Sequence, residues 1–179
     1  YGIWNQIPIL PVTIGLLFLF MGLVIIGIGE SSKVAIVIFV FHLVSLTLLC
    51  GFCLYYFFNN GFDTLINNFH MPVEGGIVQA LFFGFSAAML GISGFESSAN
   101  FVEEQKPGVF PKTLRNMWIV VSIFNPLIAF LALALIPMEV VNNNQEALLS
   151  FLGNISGGSW LSFMVGLVAA LVLSGAVLT

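Results

Sequence analysis

Gly91-Ile92-Ser93-Gly94-Phe95-Glu96 sets a hydroxyl and a carboxylate between glycines, inside a long apolar stretch. A G-x-S-G serine can serve as a nucleophile, but only with a base in reach. The chain has 2 histidines, His42 and His70, and both precede Ser93. A serine-protease reading therefore needs a base from beyond Thr179. A carboxylate in a membrane segment marks an ion or proton path by default. Paired glycines make a helical break cheap and open backbone groups to a ligand. His42 lies deep in another apolar stretch, and an imidazole titrates near neutral pH. Cys50-Gly51-Phe52-Cys53 has the spacing of a redox or metal pair. One pair supplies half a zinc site, and this one sits in an apolar helix, so we read it as packing.

These groups need elements to hold them, and the composition says which. The 179 residues are 59% hydrophobic and 7% charged, where soluble domains are about a quarter charged. Such a chain reads as an all-α integral membrane protein. Five apolar runs reach the length that crosses a bilayer, at about 7–29 (A), 34–58 (B), 77–102 (C), 116–137 (D) and 159–179 (E). None alternates with the period of a membrane β-barrel. We take residues 1–179 as a single transmembrane domain. It starts at Tyr1 rather than Met and stops inside an apolar run, so it reads as a fragment.

All 4 basic residues fall on one side: Lys33 between A and B, and Lys106, Lys112 and Arg115 between C and D. The positive-inside rule makes loops 30–33 and 103–115 cytoplasmic and the polar loops 59–76 and 138–158 external. A glycosylation sequon, Asn154-Ile155-Ser156, falls on the external side, at a frequency expected by chance. Small residues recur on helical faces: Gly15, Gly22 and Gly29 in A, Gly84, Ala87, Ala88 and Gly91 in C, and Gly166, Ala170 and Ser174 in E. Such faces let membrane helices approach closely. No phosphate loop, metal set or nucleic-acid footprint is present, and no cofactor is expected.

Run C is too long for one straight span. As a single helix it would extend about 39 Å, against a hydrocarbon core of about 30 Å. Tilt is one remedy. A break between Gly91 and Gly94 is another, and broken helices hold substrate and ions near the midplane of transporters. Glu96 follows that break by two residues; the structural alternative makes it the cytoplasmic end of the run.

The stretch "GFESSANFVEEQKPGVFPKTLRN" (94–116) resembles the sixth helix and following loop of amino acid–polyamine–organocation transporters. The matching residues are Gly94-Phe95-Glu96, Glu103-Glu104, Pro107 and Pro111. "GIGESSKVAIVIFVFHLVSLTLL" (27–49) is similar to the entry into the family's fifth helix. The resemblance implies that runs A to E are family helices 4 to 8. The fold would be an inverted-repeat (5+5) transporter, with the third span discontinuous. It further implies that Gly91, Ile92, Ser93, Gly94 and Phe95 bind an amino acid or related amine together with the absent first helix. Two departures stand out. Leu90 and Ile92 occupy the region where an aromatic is common, and the C–D loop is about two residues short, with Lys106-Pro107 in place of Asn-Pro.

The same alignment puts His42 where many proton-coupled members carry a lysine. His42 and Glu96 are therefore expected to couple protons, with Ser174 as a candidate sodium ligand if the coupling ion is sodium. A plain alternative for His42 is a neutral imidazole bonded to a nearby carbonyl or hydroxyl. Pro126 should kink run D and free the Ser122 carbonyl, with Asn125 or Ser122 supplying a partner. Glu103, Glu104 and Lys106 form either a solvated cluster or switching salt bridges. The expected function is secondary active transport of an amino acid or amine, by symport or antiport. The alternatives are an intramembrane serine protease and a non-transporting channel or structural subunit.

Overall fold

Long apolar sequences with no alternation satisfy their backbone groups locally, and the chain folds accordingly. The computed structural model describes residues 9–26, 28–73, 75–90, 99 and 102–176, and among them every regular element is helical. The α-helices are α1 (Ile9–Ile26), α2 (Ile28–Asn60), α3 (Asp63–Phe69), α4 (Ile77–Leu90), α5 (Val109–Leu135), α6 (Met138–Asn143), α7 (Leu148–Gly157) and α8 (Ser159–Ala176). Short 3₁₀ turns cover Val102–Glu104 and Gln145–Ala147. Two stretches among the described residues, Ile36–Asn60 and Val109–Leu135, are long and apolar enough to cross a membrane. Ile77–Ala88 and Ser159–Leu173 are shorter apolar helices.

The chain divides into two compact units, residues 1–52 with 149–179, and residues 53–148. In the first, α1 packs on α8. The rings of Phe52 on α2 and Trp160 on α8 meet edge to face at 5.5 Å. The α7–α8 hairpin turns at Gly158, whose φ of +85° lies in the left-handed region open to glycine without strain. Leu152, Leu161, Val165 and Val168 form its buried seam. Ser150 Oγ donates to the Ser162 carbonyl at 3.0 Å. A Cβ built on Gly153 would lie 3.1 Å from the Ser162 backbone nitrogen, so glycine sets the spacing of the two helices.

In the second unit, α3 packs on α5. Phe57, 4% exposed, meets the rings of Phe62 at 4.7 Å and Phe130 at 5.8 Å, both edge-on. Asn68 closes the end of α5. Its Nδ2 donates to the carbonyls of Leu133 and Ile136, each at 2.8 Å, and its Oδ1 accepts from the Met138 amide at 3.1 Å. The last carbonyls of a helix have no partner within it. Here the chain turns away at a fully buried Ile136 in extended conformation, and one amide side chain bridges the gap.

The boundaries differ from the sequence reading in three places. Residues 30–33, expected as a loop, lie in the first turns of α2; Glu30, Ser31 and Ser32 suit a helix start. The helix of run D begins at Val109 rather than 116. Pro111 falls in its first turn, where no backbone donor is needed, and Lys112 and Arg115 are good helix formers with exposed side chains. The two connectors expected outside are largely helical: α3 lies within 59–76, and α6 and α7 lie within 138–158. The sequon Asn154-Ile155-Ser156 is accordingly inside α7 rather than in a loop.

Small residues also act at other positions than expected. A Cβ on Gly15, Gly22 or Gly84 would meet nothing within 4 Å, and Ala87 and Ala88 are exposed. A small residue permits close approach but does not supply a partner.

Substituting Asn68 by Ala leaves two part-buried carbonyls without this partner, at about 1–3 kcal/mol for each group left unpaired, while the exposed Met138 amide can turn to solvent. Thermal unfolding in detergent should show a clear loss, larger than for Asn67→Ala on the exposed side of the same helix. Gly153→Leu should cost about 1–3 kcal/mol by overpacking, with Gly153→Ala milder in the same assay.

Candidate functional site

Helix α2 carries its buried side chains in one stripe: Ser45, Leu46, Leu49, Cys50, Cys53 and Phe57. Successive members stand mostly three or four residues apart, which is one helical face. His42 precedes Ser45 by three residues and continues that stripe, as does Ile38 one turn earlier; both are half-buried, while Phe39 is exposed. Ser45 is 2% exposed and is the buried polar side chain among the described residues. An imidazole and a hydroxyl thus occupy consecutive turns on the inward face of a helix long enough to span a membrane. No hydrogen bond joins the His42 ring to a partner among the described residues. The bonded-imidazole alternative therefore has no partner there. Thr47 is turned outward and donates to the Leu43 carbonyl at 2.7 Å.

The other predicted groups fall unevenly. Gly91, Ile92, Ser93, Gly94, Phe95 and Glu96 lie outside the described residues, so the expected break does too. Helix α4 leads toward them from Ile77 to Leu90. Ser174 is on α8, with its side chain outside the described set.

Around the start of α5 the charges stand in the open. Glu103, Lys106, Lys112 and Arg115 are exposed, and none forms an ion pair among the described residues. The side chain of Glu104, the third member of the expected cluster with Glu103 and Lys106, lies outside the described set.

Helix α5 runs through Pro126 without interruption. Ser122 and Asn125 are both exposed, and neither side chain makes a hydrogen bond among the described residues. The expected rescue of the Ser122 carbonyl is therefore not seen. Side chains on a helix lean toward its N-terminus, so the Ser122 hydroxyl reaches away from its own carbonyl. Asn125 projects outward instead of along the axis.

Cys50 and Cys53 are not joined in a disulfide and lie on the buried stripe, 5% and 0% exposed. No group of three metal-ligating side chains occurs among the described residues. Packing is the role this geometry gives them.

Sequence reasoning missed Asn68 altogether. Its partners lie 65 and 68 residues away, and "DTLINNF" offers four polar side chains with no mark on the one that turns inward.

The chain matches the family model described as amino acid permease over residues 3–179. No curated protein and no solved structure matches it.

The burial of Cys50 and Cys53 has a direct chemical consequence. Both thiols should resist a membrane-impermeant maleimide in the folded protein and react after denaturation, as read by intact-mass spectrometry.

Proposed function

The chain belongs to the amino acid permease family of the amino acid–polyamine–organocation superfamily, and on that premise we propose that it is the helix 4–8 portion of a proton-coupled amino acid or amine transporter. The family match, which runs almost the whole length of the chain, carries this reading. The family is one of membrane transporters, not of enzymes. Ser93 is accordingly read as part of a backbone-lined substrate site, not as a nucleophile.

In this proposal five spans cross the membrane, and the third breaks between Gly91 and Glu96. Gly91, Ile92, Ser93, Gly94 and Phe95 offer freed amides and carbonyls to the substrate. An α-carboxylate is matched by amides at a helix N-terminus, and an α-amine by carbonyls at a helix C-terminus. Leu90 and Ile92 leave the site without an aromatic lid from this helix. The other half of the site would come from the family's first helix.

His42 is the proposed proton carrier, with Glu96 as a second group. The inward face of α2 and the buried hydroxyl of Ser45 one turn on support that role. A sodium-coupled variant of the same fold would instead call on hydroxyl ligands, and Ser174 is the candidate on α8.

The proposed topology keeps Lys33, Lys106, Lys112 and Arg115 on the cytoplasmic side. The Asn68 bonds support it. They bring the 59–76 connector to the C-terminal end of α5, the end opposite Lys112 and Arg115. Both connectors read as external, 59–76 and 138–158, then meet at one end of one helix.

The test is uptake of a labelled amino acid mixture by the full-length protein in liposomes, with and without an inward proton gradient. Saturable uptake that rises with the gradient is expected, and His42→Gln should reduce it to the gradient-independent level. Full gradient-driven uptake by that variant would remove the proton role of His42. No saturable uptake of amino acids, polyamines or other amines would favour a channel or a structural subunit.

A further inference from the structure

The connector after α2 has a surface that neither the fold nor transport explains. Helix α3 has three sectors. Thr64, Leu65 and Asn68 are half-buried on the side that packs against α5. Asp63 and Asn67 are polar and exposed. Phe62, Ile66 and Phe69 follow one another by four and three residues, which is one helical face. They are 51%, 51% and 76% exposed. By helical angle this apolar sector borders the packed one and stands away from Asn67.

We infer that α3 is a membrane-interface anchor, with Phe62, Ile66 and Phe69 seated in lipid at the boundary between acyl chains and headgroups. Depth is the first support. Asn68 is bonded to the carbonyls of Leu133 and Ile136, which holds α3 level with the end of α5. The end of a membrane-crossing helix is where hydrocarbon gives way to headgroups. Continuity is the second. Phe57 bridges Phe62 and Phe130 by edge-on contacts, and Phe130 on α5 is 42% exposed. The exposed rings of Phe62 and Phe130 are therefore tied to one another through a buried ring, which sets the apolar face of α3 beside the exposed flank of α5. Charge selects the lipid. Residues 59–76 contain no Lys or Arg, so attachment rests on apolar insertion rather than attraction to anionic headgroups. A zwitterionic lipid surface suffices. The inference rests on the membrane reading and not on the identity of any substrate.

Nitroxide labels test it in the full-length protein in phosphatidylcholine vesicles, at Ile66→Cys, Phe69→Cys and Asn67→Cys, with Cys50 and Cys53 replaced by Ala. Collision with oxygen should exceed collision with a water-soluble nickel chelate several-fold at 66 and 69, and the order should reverse at 67. Nickel dominant at all three sites would place α3 in water and overturn the inference. Exclusion of both reagents at 66 and 69 would mean that protein covers the face, and would also overturn it. The unsubstituted protein gives a second measurement, through photolabelling by a phosphatidylcholine with a diazirine near its headgroup. Adducts are expected on the peptide spanning 61–73. Their absence while α5 peptides are labelled would refute the anchor.

Discussion

A backbone amide or carbonyl in hydrocarbon has no water to bond, so it must find its partner inside the protein. That single requirement accounts for most of what this chain does. It makes every regular element among the described residues a helix. It also makes helix ends and helix breaks the expensive places. At the end of α5 the expense is met by Asn68, a side chain from a separate helix, which takes up two carbonyls and the next amide. At Pro126 the same ladder loses a donor, and the helix continues regardless. The break proposed between Gly91 and Gly94 would be a third response, in which freed backbone groups serve a ligand.

The apolar surface follows a related logic. Helix α4 exposes Ile77, Val78, Leu81, Phe82, Phe83 and Phe85, a pattern that would aggregate in water. In lipid it costs nothing, because the surrounding solvent is as apolar as the side chains. Packing must then come from close contact and from polar bonds between helices. The α7–α8 hairpin uses both: Gly153 against the Ser162 backbone, and Ser150 bonded to Ser162. The Phe57 cluster and the Asn68 bridge do the same work in the other unit, one by ring contact and one by hydrogen bonds.

Charge plays a separate part. Lys112 and Arg115 lie near the N-terminus of α5, the end where the helix dipole disfavours cations. The proposed topology, read by the positive-inside rule, asks for them there. The dipole effect at an exposed site is about 0.3–1 kcal/mol, and solvent screens it for side chains that reach into water. In that topology insertion direction is the stronger demand. The inward-facing His42 is the contrasting case, a titratable group on the buried stripe of a membrane-length helix, beside a buried hydroxyl.

The sequence by itself determined the class of the protein, the run of apolar helices and the family. Each is a local property: hydropathy over about 20 residues, or a motif such as Gly94-Phe95-Glu96 with its following acids and prolines. It also placed His42 on a helical face with Ser45, because helical period alone decides that. Only the tertiary structure decided that this face is the buried one, that the polar connectors fold into α3, α6 and α7, and that Asn68 and not its neighbour Asn67 turns inward. The small residues teach the same lesson, since those at Gly15, Gly22 and Gly84 fit the motif yet the close approach occurs at Gly153. Burial, helix capping and close approach depend on partners distant in sequence, and neither composition nor period specifies which distant segment will arrive.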